Sequence, residues 1–174
     1  MNTRVLQNSR GRFRNEAREL LQLFFAAEVV KPSERVYVVS PWLRDIELFD
    51  NTTGSFADLV PDAPRRVLRL TDIFRCLLVL GTRIVLVVRA PRDDGGVGQA
   101  LEEIATALDR THLVSVVESA ELHSKGLLGA HAALTGSMNV THAGLERNTE
   151  LLQFHTDGES IGRLRLEFTG AYGR

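Results

Sequence analysis

His123-Ser-Lys125-Gly-Leu-Leu-Gly-Ala130-His131-Ala-Ala-Leu-Thr-Gly136-Ser137-Met-Asn139, followed by Asn148-Thr-Glu150, is the stretch on which the reading of this chain turns. Side chains alternate across a strand with period two, so His123 and Lys125 fall on one face. Residues 122–129 and 132–136 read as a hairpin with Ala130-His131 at its turn. Residues 138–144 read as the start of a helix beside the Gly136-Ser137 turn, and 149–155 as a returning strand. An imidazole, an ammonium, a hydroxyl, an amide and a carboxylate can converge from these positions.

That set of groups suits a phosphate diester. Its negative oxygens resist attack, so an enzyme needs a nucleophile, a positive clamp for the non-bridging oxygens and an acid for the leaving oxygen. Histidine does the first or third of these near neutral pH. Lys125 offers a compact cation on the same side. Ser137, Asn139 and backbone N–H groups near Gly136 can donate to phosphoryl oxygens. Glu150 suits the task of holding one His123 nitrogen, which fixes the tautomer and raises basicity. Taken singly, Ser137 and Asn139 are ordinary helix caps and Glu150 an ordinary solvated charge.

The elements upstream read as a scaffold for that hairpin. Residues 1–15, with Arg4, Arg10, Arg12 and Arg14, read as an exposed lead-in that passes into a helix, either a solvated arm or one that contacts phosphates. Apolar positions from Ala17 to Ala27 recur at helical spacing, and Lys31-Pro32-Ser33 ends that helix. Residues 35–40 and 83–89 are β-branched runs, as strands buried on both faces would be. Ligand sites in open α/β sheets collect outside the carboxyl ends of strands, which makes Trp42 and Arg44 candidate rim residues. Core filler is the other reading of Trp42.

Residues 49–66 read as a loop, 67–80 as a helix with Asp72 near its start, 97–109 as a helix and 113–117 as a third strand. Gly95-Gly96-Val97-Gly98 lacks the Lys-Ser/Thr ending of a phosphate-binding loop and reads as a connection. Residues 161–172 close the chain as a helix. The expected fold is α/β, a mixed β-sheet flanked by helices on both faces, in a single domain spanning 1–174.

Composition bounds the function. The chain has 174 residues and a net charge of −1, so no global field draws it onto nucleic acid, and any such contact must be local. Lys31 and Lys125 are its only lysines, so a lysine at the motif is less easily background. Cys76 is the only cysteine; no intrachain disulfide can form, and its apolar surroundings suggest a buried small hydrophobe. The N-terminus lacks the apolar stretch of a signal peptide and no apolar run is long enough for a bilayer, which together favour a reducing cytoplasm.

The ordered set His123, Lys125, Gly136, Ser137, Asn139 and Glu150, with Asn148, resembles the HKD motif of the phospholipase D superfamily: His-x-Lys, four residues, Asp, then Gly-Ser-x-Asn and a later Glu. The match covers about the last third of the chain. The whole chain is similar to small bacterial single-motif members, including phospholipase D-like proteins encoded alongside DNA-modification and phage-defence genes (the DpdK type). The resemblance implies that one histidine attacks phosphorus to form a phosphohistidine, a second protonates the leaving group, and water releases the product without a metal or other cofactor. The family uses two such motifs per site. This chain has one, because His112, His131, His142 and His155 do not head a His-x-Lys. A homodimer with one His123 from each subunit is therefore implied.

The family Asp falls on Ala130, a departure that bears on activity. Two hypotheses follow. One is a phosphodiesterase, most naturally a nuclease acting on DNA. The other is a catalytically weak or inactive nucleic-acid-binding subunit of a defence or DNA-modification system, working with other proteins of such a cluster. A lipid phosphodiesterase is disfavoured by the lack of a membrane-binding amphipathic segment.

Overall fold

The structure is a computed structural model that describes residues 3–7, 12–56, 63–146 and 151–173, with side chains for 15–56, 63–145 and 151–173. Its strands are β1 (Thr3–Gln7), β2 (Arg35–Val39), β3 (Glu47–Asp50), β4 (Val67–Arg69), β5 (Arg83–Arg89), β6 (Val114–Ser119), β7 (Gly126–Leu128), β8 (Ala133–Gly136) and β9 (Leu151–His155). Its helices are α1 (Arg12–Val30), α2 (Leu70–Val79), α3 (Val97–Ala107), α4 (His142–Glu146) and α5 (Gly158–Tyr172). Seven strands form one sheet in the order β1-β9-β8-β7-β2-β5-β6. β2, β5 and β6 are parallel, and the other neighbours are antiparallel. This is the mixed α/β sheet expected from the sequence.

The two faces of the sheet bury different cores. Alternation sends Val36, Val38, Ile84, Leu86 and Val88 to one side, where they meet α1, α2 and α3. Helix α1 buries Ala17, Leu20, Leu21, Phe24, Phe25 and Val29 there. Each large side chain so buried contributes about 1.5–3 kcal/mol. Tyr37, Val39, Val85 and Val87 point the other way and pack against Ile161 and Phe168 of α5. Both central strands are covered on both faces, as their unbroken apolar runs indicate. Cys76 is buried, and burial pushes its thiol up to about 11, so it acts as a small hydrophobe.

Several local expectations differ from the structure. Thr3–Gln7, read as part of an exposed lead-in, pairs with all five residues of β9 as an edge strand. Its two apolar residues, Val5 and Leu6, are too short a run to signal a strand, and the pairing is a backbone interaction with a distant segment. The 49–66 loop is flanked by a two-stranded ribbon of β3 and β4, and α2 begins at Leu70. Asp72 caps it by accepting from the Arg69 N–H at 2.8 Å. Helix α4 begins at His142, four residues beyond the expected start. Val140 is occupied instead in a bridge to Leu43, so the chain stays extended there.

Candidate active site

Register places the motif. Gly126 of β7 pairs with Val39 of β2 on one side and Thr135 of β8 on the other. Gly136 pairs with Leu152 of β9. The residues just before β7 and just after β2 and β8 therefore meet at one end of the sheet, outside the carboxyl ends of the parallel strands β2 and β5. His123 and Lys125 lie in extended chain immediately before β7, not within the strand. His123 is exposed and Lys125 half-buried, with its ammonium donating to the His123 carbonyl at 2.8 Å.

The Gly-Ser-x-Asn turn has a steric cause. Gly136 sits at φ +155°, and a Cβ there would stand 1.9 Å from the Leu151 carbonyl oxygen. No larger residue fits between β8 and β9. The Ser137 N–H donates to the Leu151 carbonyl at 3.0 Å, and the Ser137 hydroxyl accepts from the Leu151 N–H at 3.0 Å. Ser137 and Gly136 thus tie the start of β9 to this end of the sheet. The amide donors expected near Gly136 at a helix start are not there: the Ser137 N–H is taken up by β9, and α4 begins later. Asn148 and Glu150 lie outside the described residues.

A second wall comes from the segment after β2. The Ser40 hydroxyl donates to the Trp42 carbonyl at 2.6 Å and accepts from the Val140 N–H at 3.1 Å, joining the two loops. Between them opens a cleft of about 540 Å³ lined by Trp42, Arg44, Asn139, Thr141, His142 and Ala143. The Asn139 Oδ1 is buried on this wall without a partner. A half-turn of the amide would present its NH2 group instead, so this side chain can meet either a donor or an acceptor. Trp42 is a rim residue rather than core filler, with 41% of its surface exposed and the Arg89 guanidinium 5.6 Å from its ring centroid. Arg44 lines the cleft but is committed: it donates to the Leu43 and Asp93 carbonyls, and its Nη2 lies 3.0 Å from Asp93 Oδ1.

Sequence reasoning missed Ser40, Arg89 and His142. Arg89 ends β5 and Ser40 follows β2, and only the parallel pairing of those strands brings them together. His155 is a core histidine. It is buried, its Nε2 lies 3.0 Å from the Thr135 hydroxyl, and burial pushes its pKa down. Among the described residues, no three His, Cys, Asp or Glu side chains converge as a metal site would require.

Ala130 lies at the opposite end of the hairpin, where Leu128 pairs with Tyr37 near the amino end of β2. Five residues of extended chain from Lys125 correspond to about 16 Å. Other groups hold the turn there. The Ala130 N–H donates to the Ser33 hydroxyl at 2.6 Å, and Arg165 Nη2 donates to the Gly129 and Ala130 carbonyls at 3.3 and 3.4 Å. The Glu28 carboxylate fills the space beside Gly129, where a Cβ would meet its Oε1 at 1.9 Å. Ala130 therefore bears on the site only through the placement of β7. His131 is exposed at this turn, away from His123.

Solved structures share this fold. NucT from Helicobacter pylori matches with a TM-score of 0.58 at 12% identity, covering 97% of this chain and 94% of that one. A phospholipase D family member, Nuc from Salmonella typhimurium, matches with a TM-score of 0.51 at 12% identity, over 98% and 94%. The chain shares the fold of that phospholipase D family member. Phosphatidylserine synthase from Haemophilus influenzae contains it too, with a TM-score of 0.59 at 14% identity, covering 98% of this chain and 36% of the synthase. No family model and no curated protein matches the sequence. Within the phospholipase D-like fold, the end of the sheet bearing His123 and Lys125 is the end that carries the cleft. No helix of the described residues is long and apolar enough to cross a membrane.

Proposed function

We propose that this chain is a metal-independent phosphodiesterase of the phospholipase D type, a nuclease acting on DNA, with an active site shared by two copies. The observation that carries this reading is the placement of an exposed His123 and a half-buried Lys125 at the cleft-bearing end of a phospholipase D-like sheet. In the first step a His123 ring nitrogen attacks phosphorus. A P–N bond forms, the P–O bond to the leaving strand breaks, and the leaving oxygen takes a proton from the His123 of the second copy. In the second step water attacks the phosphohistidine, gives its proton to the second imidazole and frees the first. Lys125 swings from the His123 carbonyl to the non-bridging oxygens, with Asn139 beside it. Ser137, engaged with β9, holds the turn beside the phosphate. Glu150 orients His123.

The dimer is part of the same proposal: the family resemblance implies two histidines per site, and the sequence has one His-x-Lys. The Ala130 departure, which favours an inactive binding subunit, loses force with its distance from the chemistry. A cytoplasmic setting and partners from a DNA-modification or defence cluster belong to the same proposal. The test offers purified protein bis(p-nitrophenyl) phosphate and single- and double-stranded DNA, all in EDTA. Turnover that vanishes in His123→Ala, by a species of dimer mass, is expected. No turnover, or turnover indifferent to that substitution, leaves the binding-subunit reading in its place. A strictly monomeric active protein rules out the shared site.

A further inference from the structure

The cleft has a feature that phosphodiester chemistry alone does not use. Trp42 is the only tryptophan of the chain and stands at the rim with 41% of its surface exposed, although burial is the ordinary fate of so large an apolar ring. Its backbone is held by the Ser40 hydroxyl. One face carries the Arg89 guanidinium, 5.6 Å from the centroid. A cation seated there fixes the indole plane. Beside the ring, Asn139 offers an unpartnered amide atom, and the cleft of about 540 Å³ is large enough for a nucleobase.

Charge decides what such a ring contributes. Binding through phosphates alone grows with the number of cations neutralising them. This chain carries a net charge of −1, its 21 lysines and arginines being offset by 22 acidic residues, and Arg44 at the cleft is already paired with Asp93. Electrostatics is therefore a weak source of affinity here. Stacking of a base on an aromatic ring supplies roughly 5- to 100-fold in affinity per base and does not depend on sequence. A base inside a duplex is stacked on its neighbours and has no face to offer.

We infer that Trp42 is a stacking platform for an unpaired base next to the scissile phosphate, which makes single-stranded nucleic acid the substrate class. This inference rests on the phosphodiesterase reading above. It divides labour at this end of the sheet: Lys125 and His123, outside the cleft lining, meet the phosphate, and Trp42 in the cleft meets the base.

The single tryptophan makes the contact directly readable. The full-length His123→Ala protein, which leaves strands uncut, is titrated with a ten-residue oligothymidylate, an abasic strand of the same length and a duplex of the same length. Indole fluorescence is followed for each. The expected result is quenching by the oligothymidylate with about tenfold tighter binding than either comparison ligand. Trp42→Ala, followed by anisotropy of a labelled strand, loses that margin while keeping its affinity for the abasic strand, and Trp42→Phe regains most of it. Equal binding of the abasic strand without quenching overturns the inference. So does a Trp42→Ala protein that changes oligomeric state, since the ring then belongs to a subunit contact. Cleavage assays separate the two levels. If the chain cuts base-bearing and abasic strands equally, only the stacking inference fails. If it cuts neither but is quenched by the oligothymidylate, only the phosphodiesterase reading fails.

Discussion

The two ends of the central sheet differ in what they do with polar groups. At the end near Ser33, a set of polar side chains from distant parts of the chain bonds to one another. Glu28 is 1% exposed and accepts from the Ser33 N–H, Ser33 accepts from Ala130, and Thr82 donates to the Ser33 carbonyl. Even the groove of about 290 Å³ on that side is internally bonded, with Arg35 donating to the Tyr37 hydroxyl and that hydroxyl bonded to Thr169. At the other end His123 and Trp42 are exposed, and Asn139 has an orphaned buried oxygen. Buried polar atoms without partners are costly. His155 Nδ1 and Asp157 Oδ2 are also orphaned, towards the Ser33 end, so what sets the open end apart is an orphaned atom beside a cleft together with an exposed imidazole and indole. The difference teaches where to look for chemistry before any reaction is named.

The comparison breaks most sharply if a substitution at the open end costs stability rather than activity. His123→Ala is expected to lower phosphodiesterase turnover by about 10³-fold, in the range that positioned acid–base groups supply. Its thermal midpoint should stay within a degree or two of the parent. A large drop in the midpoint with little loss of turnover per folded molecule would place His123 among the structural groups.

The closed end should behave in the opposite way. Glu28→Ala leaves the Ser33 N–H without its acceptor and empties the space beside Gly129, at an expected cost of about 2–4 kcal/mol in denaturant unfolding. Turnover per folded molecule should change only a few-fold. Glu28→Gln keeps an acceptor and should cost much less. Burial pushes the Glu28 carboxyl up, against the pull of its Ser33 hydrogen bonds and the His131 charge. A raised folded pKa penalises the charged form, so this group's contribution to stability falls as pH rises from the unfolded value through the raised one. The glutamine variant should therefore gain on the parent between acid and neutral pH.

Much of this contrast was legible in sequence, and the reasons are physical. The central strands announced themselves because their burial on both faces requires unbroken apolar runs. His123, Lys125, Gly136 and Ser137 stood out because they sit close together in the chain around one hairpin. Edge strand β1 did not, since its pairing with β9 spans the length of the chain and leaves no periodic mark. The start of α4 was misplaced because Val140 obeys a tertiary bridge to Leu43 in preference to local helical propensity. Trp42 had two readings, and only exposure chose between them.

A smaller effect is expected at the loop that borders the open end from the β5 side. Asp94 is buried, accepts from the Gly96 and Gly98 N–H groups at 2.9 Å each, and pairs with Arg92 at 2.8 Å. Although burial opposes it, these partners hold its carboxyl below the usual range. A lowered folded pKa gives stability that is present above the unfolded carboxyl pKa and is lost as pH falls through the folded one. Asp94→Asn should cost about 1.5–3 kcal/mol at neutral pH and flatten the acid limb of the unfolding curve below about pH 4. An acid limb unchanged in the variant would assign that limb to other carboxylates.

The smallest effect is expected at Arg44, where the two kinds of region meet. By position Arg44 belongs to the open end, since it lines the cleft with Trp42 and Asn139. By bonding it belongs to the scaffold, since two carbonyls and the Asp93 carboxylate hold it, and Gly95 approaches so closely that a Cβ there would stand 2.7 Å from Arg44 Cδ. Both members of the Arg44–Asp93 pair are solvent-exposed, and such pairs contribute about 0.2–1 kcal/mol. Arg44→Ala should therefore lower stability by less than about 1 kcal/mol. If the arginine stays on Asp93 while substrate binds, turnover changes less than threefold, and KM rises no more in Arg44→Ala than in Asp93→Asn. If substrate draws it away, Asp93→Asn frees the guanidinium and lowers KM while Arg44→Ala raises it. Opposite signs in the two variants would make Arg44 a substrate contact, in keeping with the rim role expected from sequence, and equal signs would leave it as a brace for the loop.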